Sequence, residues 1–340
     1  QYKNSSFTYN DLGSDDSKGN LVFNRNKWIS ALDEKNYIQT NIQADLFRLS
    51  MKINPRAYVT LNVTTKINET LMVPKEISKL ILEDTTEVLD IKSMIFSPQA
   101  DVMAYIETGL GMGYAINKNL TVGVKFKLLK GLANATTTRS TIDIDVEESG
   151  VTDGFTATAD IDARTSGIHY WTDGDKKFEP KEIPDELKKY TKNNGYAFDI
   201  GATYRFSDKF TMGFSAIDIG SITWKNDLYG YKLDPNVATY TFEGIDLERI
   251  LNGDQDYPDL DSISERFKFE EGVIAPYKTP LPSKYYVSGC YSITKTFTLG
   301  VLFAGERYRD NFSPAVSLSL NKEFGRRMST SLSYNYLNKT

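Results

Sequence analysis

The 340-residue chain is poor in the residues that most often carry out catalysis and bind metals. It contains one cysteine, Cys290, and one histidine, His169. A single cysteine excludes a disulfide within the chain, and one cysteine with one histidine cannot form a zinc site. No nucleophile motif stands beside His169, and the chain has no phosphate-binding loop. We therefore expect no enzymatic activity, no cofactor and no bound metal.

Long hydrophobic runs and an excess of positive charge are also missing. The longest apolar-rich stretch, 297–304, is shorter than the roughly 18 residues that a membrane helix needs. Hydrophobic residues make up 40% of the chain and its mean hydropathy is -0.40, which excludes a helical membrane protein. The net charge of -5 argues against nucleic-acid binding, which needs a basic face.

The chain does have many aromatic residues, with 21 tyrosines and 18 phenylalanines, and a repeated hairpin pattern. Three segments share the order Tyr, any residue, apolar residue, polar triplet, apolar residue, Thr, apolar residue, Gly. A polar triplet with turn-forming residues between two extended runs predicts a tight hairpin. The three close copies are 114–123, 204–213 and 291–300, and the two looser copies are 52–58 and 322–329. The repeat therefore predicts five short turns, near residues 55, 118, 208, 295 and 326.

The flanks of these turns alternate between apolar residues and small or polar ones. Such a period of two predicts strands with one apolar face and one wet face. The strands are about 9–13 residues long, enough to cross a membrane at a tilt. Because a lysine or arginine facing lipid costs about 2–4 kcal/mol at the midplane, charges on the wet face should point into an enclosed lumen. These lumen-facing candidates are Asp101, Glu107, Lys125, Lys127, Asp199 and Arg205.

The connections between the strands are very unequal in length. Segments 68–100, 149–193 and 225–282 are long, whereas 309–314 is short. Short periplasmic turns at one end and long loops at the other are typical of an all-β, antiparallel, transmembrane β-barrel. We interpret residues 1–340 as one such domain. The alternative is a soluble β-sandwich, in which the apolar faces form a core.

The long outer loops carry some regular patterns of their own. Segments 74–90 and 243–252 are predicted to be helical. The first helix, with Ile77, Leu80 and Ile81 near one face, either packs on its own loop or plugs the lumen. The alternation in 140–165 predicts a hairpin that extends beyond the membrane.

Several segments resemble a known family. They are 19–28 (GNLVFNRNKW), the strand-turn-strand that ends in LLKGLAN at 128–134, 216–225 (AIDIGSITWK) and 281–286 (LPSKYY). Together they resemble an uncharacterised family of Bacteroidetes outer-membrane β-barrels, loosely similar to FadL-like channels and to the PorV and PorP barrels of type IX secretion. The resemblance implies a Gram-negative outer-membrane location and closure with about 14 strands, of which the alternating pattern shows ten or more. It also implies that terminal strands are missing from this sequence, and that Thr85 and Ser262 are candidate acceptors of O-linked glycans.

Three functions remain open at this point. The first is a pore or transporter for small or hydrophobic solutes, embedded in outer-membrane lipid. The second is a scaffold or adaptor for a surface or type IX secretion complex, with its long loops binding other outer-membrane or secreted proteins. The third is a soluble surface domain such as an adhesin. A lumen filled by side chains would favour the second function over the first.

Overall fold

A computed structural model describes residues 2–4, 13–15, 21–23, 25–82, 93–147, 154–168, 192–242, 265–309, 311–325 and 328–337. The predicted helix at 243–252, His169 and both glycan acceptors, Thr85 and Ser262, lie outside these residues. In the described part, the helices are α1 (Arg25–Ala31), α2 (Lys75–Leu82) and a helical end at residues 265–266. None of these is long and apolar enough to cross a membrane.

All other regular structure in the described part is β-strand. The strands outside the main series are β1 (Tyr2–Asn4), β2 (Gly13–Asp15), β3 (Leu21–Phe23), β6 (Ser93–Phe96), β9 (Gly154–Ser166), β12 (Leu228–Leu233), β13 (Thr239–Phe242), β14 (Glu270–Val273) and β15 (Tyr277–Pro280). The main strands are β4 (Lys35–Asn54), β5 (Ala57–Pro74), β7 (Gln99–Ala115), β8 (Leu120–Glu147), β10 (Asn194–Arg205), β11 (Phe210–Trp224), β16 (Ser283–Thr294), β17 (Phe297–Tyr308), β18 (Asn311–Phe324) and β19 (Met328–Leu337).

The main strands form one antiparallel sheet. Their order across the sheet is β4, β5, β7, β8, β10, β11, β16, β17, β18, β19, and every neighbouring pair is antiparallel. Among the described residues, β19 pairs only with β18, and the far side of β4 pairs only with the three-residue β1. The sheet curls into a half-barrel with two open edges. The all-β, antiparallel architecture expected from the sequence is therefore confirmed.

Four of the five predicted turns are present, and side chains close several of them; the fifth, near residue 326, includes residues 326–327, which lie outside the described residues, although β18 and β19 pair on either side of it. Asn54 Oδ1 accepts hydrogen bonds of 2.8 Å from the backbone N–H groups of Arg56 and Ala57. Asn117 Oδ1 accepts two equally short bonds in the turn between β7 and β8. These are Asx turns, in which a short polar side chain takes over the bonds that the reversing backbone lacks. The polar triplets of the repeat thus act as predicted.

At the opposite end of the sheet, β8 continues far beyond the turn region. Its first half pairs with β10, and its second half pairs with β9 in the hairpin predicted for 140–165. Strand β9 pairs in turn with β12 and β13, and β12 pairs with β14. The described part of the long connection 225–282 therefore contains four strands. That residues 1–340 fold as one domain stays a prediction.

The two faces of the sheet differ in the way the alternation predicts. On β10, Tyr196, Phe198 and Ile200 are 58%, 56% and 52% exposed on the convex outer face. On β8, the outward apolar residues run from Leu120 to Leu128, and the next outward residue is Lys130, which donates to Asn194. In the described part of the chain no second sheet covers this apolar band, unlike the faces of a β-sandwich.

Candidate functional site

The concave inner face carries a cluster of buried charges, here called the central charge cluster. Its members are Lys66 on β5, Glu107 on β7, Lys127 on β8, Asp199 on β10 and Asp218 on β11. Lys127 Nζ lies 2.6 Å from Asp218 Oδ1 and 2.7 Å from Asp199 Oδ1. Lys66 Nζ lies 2.7 Å from Glu107 Oε2 and 3.4 Å from Asp218 Oδ1. Two cations thus hold three carboxylates together across five strands.

A β-bulge brings Asp218 into this cluster. The pairing of β10 with β11 shifts between Phe198 and Ile200, so that Ile217 and Asp218 both lie opposite Asp199. Asp218 has a φ of 58°, a left-handed conformation that is uncommon for a residue other than glycine. Its backbone N–H donates to Asp199 Oδ1 at 2.8 Å. Strained backbone that persists in a fold is often found at functional positions.

Neutral polar side chains extend the cluster towards β4. Asn62 Nδ2 donates to Glu107 Oε1 at 3.2 Å and to Thr64 Oγ1 at 2.9 Å, and Thr64 donates to Asp45 Oδ1 at 2.8 Å. Gly109 makes room for this arrangement, because a Cβ there would lie 2.5 Å from Asn62 Oδ1. The glycines of β7, which the sequence shows at every second position, therefore allow polar side chains of β5 to cross the inner face.

Above the central charge cluster, towards the long loops, the inner face is filled by an apolar group, here called the aromatic cluster. Its members are Met103, Tyr105, Leu129, Ala197, Ile222, Trp224, Leu228, Tyr277 and Leu281. Trp224 is fully buried, and its indole N–H donates to Thr279 Oγ1 at 3.1 Å. The ring lies so close to Gly131 that a Cβ there would be 2.3 Å from it. The buried Tyr277 hydroxyl is also paired, because it donates to Asn134 Oδ1 at 2.8 Å.

Below the central charge cluster, towards the short turns, the inner face is nearly bare. Gly113, Gly123 and Gly201 lie side by side on β7, β8 and β10, and Gly213 on β11 lies opposite Thr203, one inward position nearer the short turns. An open cavity of about 380 Å³ lies over them, bordered also by threonine and serine side chains. We call this space the vestibule. The inner face thus changes along its length from small and polar, to charged, to aromatic.

A second ion pair links β7 to the residue that follows β17. Arg309 follows β17 and has a φ of 52°. Its Nη2 lies 2.7 Å from Asp101 Oδ1 on β7 and also donates to Thr136, while Nη1 donates to the Thr137 carbonyl at 3.1 Å. The pair bridges strands that are far apart in the sheet. Both terminal nitrogens of the guanidinium are engaged in these contacts.

The structure distributes the lumen-facing candidates over four places. Glu107, Lys127 and Asp199 meet in the central charge cluster, and Asp101 pairs with Arg309. Lys125 lies on the same inner face, with its chain over Gly109 and Gly111. Arg205 is exposed at the end of β10, beside a short turn.

The plug-helix candidates are described only in part. α2 forms within the predicted segment 74–90, and Ile77 is half-buried. The side chains of Leu80 and Ile81, and residues 83–90, lie outside what the structure describes. A plug formed by this helix stays a prediction.

Several functional residues were missed by sequence reasoning. Lys66 could have been found, because Thr60, Asn62, Thr64 and Lys66 alternate with apolar residues on β5. Asp218 could not have been found in this way, because its orientation depends on a bulge that breaks the period of two. Trp224 was part of a quoted motif, but alternation alone does not show that its ring crosses the inner face.

Within the described ranges, no group of three or more His, Cys, Asp or Glu side chains could hold a metal ion.

Comparison with known proteins gives a family and some remote structural likeness. The model of the family of unknown function DUF5723 matches residues 1–340. No match was found among curated proteins. The chain is similar to a structure of the CymD monoaromatic hydrocarbon channel, at 11% identity and a TM-score of 0.36, over 90% of this chain and 70% of that one.

Two further structures show likeness at the same level. A FadL homologue of Pseudomonas aeruginosa is 9% identical with a TM-score of 0.31, over 99% of this chain and 79% of that one. The RagAB peptide importer in its closed-closed state is 12% identical with a TM-score of 0.31, over 88% of this chain and 33% of that one. With TM-scores below 0.5, these likenesses do not extend to function.

Proposed function

We propose that this chain, which belongs to the family of unknown function DUF5723, is a non-enzymatic outer-membrane protein of a Gram-negative bacterium that passes small or hydrophobic solutes. The observation that carries the proposal is the contrast between the two faces of one curled sheet. The outer face exposes a continuous apolar band, and the inner face is small, polar and charged. A wall of this kind suits lipid on one side and a wet passage on the other.

The dimensions of the outer face support a membrane location. On β8, the apolar band runs from Leu120, just after a short turn, to Leu128, just before Lys130. A crossing of about 9–11 residues is what a tilted strand needs to span the hydrocarbon layer. Exposed apolar patches on soluble monomers rarely exceed a few hundred Å². An apolar band repeated on all ten main strands is suited to lipid.

The inner face supports a narrow passage. The vestibule is open, whereas the central charge cluster and the aromatic cluster fill the space above it. A solute must therefore displace the Trp224 ring or pass beside it. The apolar side chains of the aromatic cluster would favour hydrophobic solutes at this step.

Solute passage into proteoliposomes tests this proposal. Purified full-length chain would be reconstituted, and swelling would be followed with arabinose and with benzyl alcohol. We expect slow uptake by the wild type and uptake several-fold faster by Trp224→Ala, because that change removes the largest buried side chain from the passage. No uptake by either protein would contradict transport. Release of the native protein from membranes by buffer without detergent would contradict the membrane location.

A second candidate function is a scaffold or adaptor, and one observation favours it. The filled inner face resembles a packed interior more than an open channel, with Trp224, Ile222 and Leu281 all nearly inaccessible. In this proposal the outer strands β9 and β12–β14 bind a surface protein, as in a type IX secretion complex of Bacteroidetes. Recovery of a stoichiometric companion from solubilised membranes, together with no solute uptake, would favour this function.

A further inference from the structure

A second cavity, separate from the vestibule, lies at the outer end of the inner face. It has a volume of about 770 Å³ and is bordered by the beginning of β4, the end of β5, the beginning of β7, Thr138 on β8 and the turn between β17 and β18. We call it the outer-mouth cavity. Its volume falls within the range of about 300–1,000 Å³ that small-molecule sites occupy.

A buried amide without a partner borders the outer-mouth cavity. Gln39 is only 8% exposed, yet its side chain makes no hydrogen bond within the described residues. A primary amide offers two donors and one acceptor. The amide atoms of Gln39 are not sealed inside the protein, so they remain accessible from the cavity. Gln39 is thus available to a molecule in the cavity.

A carboxylate oxygen without a partner lies at the same cavity. Asp33 Oδ2 is buried and accepts no hydrogen bond within the described residues. The backbone around it is fixed, because Asn36 Oδ1 accepts from the Asp33 N–H at 3.0 Å and Asn36 Nδ2 donates to the Asp33 carbonyl at 2.7 Å. Asp33 is therefore held at the wall of the cavity, where it adds negative charge, but its buried Oδ2 has no surface that a ligand could contact.

The charges around the cavity do not suit an anion. Arg309 is the strongest donor there, but Asp101, Thr136 and the Thr137 carbonyl already accept its N–H groups. Glu34 adds a further carboxylate at the rim, and Lys35 adds one cation. The five charged side chains sum to -1, from Asp33, Glu34 and Asp101 against Lys35 and Arg309.

The remaining lining is neutral and forms hydrogen bonds. Amides and hydroxyls come from Thr70, Gln99, Thr138 and Asn311, and two tyrosine rings come from Tyr37 and Tyr308. Amide, hydroxyl and carboxylate groups match the paired donors and acceptors of sugar hydroxyls. Tyrosine presents an apolar ring and a polar tip, which suits the C–H faces of a sugar ring.

We propose that the outer-mouth cavity binds a neutral oligosaccharide, with the Gln39 amide as its principal hydrogen-bonding partner. The inference goes beyond the proposed function, because it names a polar class of molecule that is bound at the outer mouth, independently of the solutes that pass through the lumen. Binding at this cavity requires neither an open lumen nor movement of Trp224. It can therefore be measured separately from transport.

Titration calorimetry of the full-length chain in detergent tests the proposal. The probes are maltotriose, cellotriose and mannotriose, each compared with trilysine and with N-acetyl-trialanine amide. We expect saturable binding of at least one trisaccharide. Gln39→Leu should weaken it roughly tenfold, since it removes the buried hydrogen-bonding group at little change in volume. The matched control is Gln43→Leu, which changes an exposed glutamine of the same strand that does not border the cavity.

Each outcome of this titration decides something definite. Trisaccharide binding that Gln39→Leu weakens and Gln43→Leu does not would support the site, whatever the proteoliposomes show. Binding without uptake would retain the site and remove transport. Binding of trilysine or of the blocked tripeptide alone would overturn the saccharide assignment. Absence of saturable binding by every trisaccharide would overturn the inference, even where uptake of small solutes is observed.

Discussion

At the residue scale, Lys127 holds the central charge cluster together. Its ammonium group contacts Asp199 and Asp218 directly and lies 3.6 Å from Glu107. With a side chain only 4% exposed, it has little access to water as a substitute partner. Removing one member of a buried ion cluster leaves its partners charged, buried and unpaired. Replacing Lys127 should therefore destabilise the fold far more than the loss of one exposed charge would.

Lys127→Met should lower the free energy of unfolding by about 3–5 kcal/mol, because Asp199 and Asp218 lose their closest cation. Lys125→Met is the control: Lys125 lies on the same strand and face and forms no ion pair within the described residues. The Lys125→Met change should lower the free energy of unfolding by less than about 1 kcal/mol. Urea unfolding in detergent, followed by circular dichroism, measures both. Equal losses for the two variants would mean that the cluster contributes no special stability.

A glycine next to the indole of Trp224 gives a second prediction at this scale. A Cβ on Gly131 would lie 2.3 Å from the ring, so Gly131→Ala should displace Trp224 and cost about 1–3 kcal/mol. Gly113→Ala is the control, because the nearest atom to its new Cβ would be 3.8 Å away. Tryptophan emission, with Trp28 and Trp171 replaced by Phe, should shift to the red only in Gly131→Ala. An unchanged emission maximum would contradict the tight contact.

At the element scale, the sequence predicts strands and turns well but not their irregularities. On β7, Asp101, Met103, Tyr105, Glu107, Gly109 and Gly111 share the buried face, as a strict period of two requires. On β8, a register shift opposite Ala104 and Tyr105 inserts an extra residue, so Gly131 and then Asn134 face inward. A bulge depends on the fit between two strands, and one strand's sequence does not reveal it.

The division of each strand into two faces yields a prediction on β18. Leu318 lies on the exposed outer face and is 48% exposed, whereas Ser317 faces inward opposite Leu302. In a lipid bilayer, Leu318→Arg should cost about 2–4 kcal/mol, because the charge enters hydrocarbon near its middle. Ser317→Arg should cost less, because its side chain can reach water on the concave side. Unfolding titrations in lipid vesicles compare the two, and a larger cost for Ser317→Arg would reverse the assignment of faces.

At the scale of the whole molecule, side chains on opposite parts of the sheet fix its curvature. Lys66 on β5 reaches Asp218 on β11, with three strands between them in the sheet. Arg309 after β17 reaches Asp101 on β7. The sequence predicted that Asp101, Glu107, Lys127 and Asp199 face inward, since local alternation decides this. It did not predict their partners, because contacts across the concave side depend on how tightly the sheet curls.

The two edges of the half-barrel, where the described residues add only the three-residue β1, determine how many strands a closed barrel can contain. Every neighbour in the series from β4 to β19 reverses direction, so the first and tenth strands run opposite to each other. A closed barrel in which all neighbouring strands are antiparallel can therefore form in two ways. The two edge strands can pair directly, or an even number of further strands can lie between them. Adding one strand, or three, would instead make one pair of neighbouring strands in the barrel parallel.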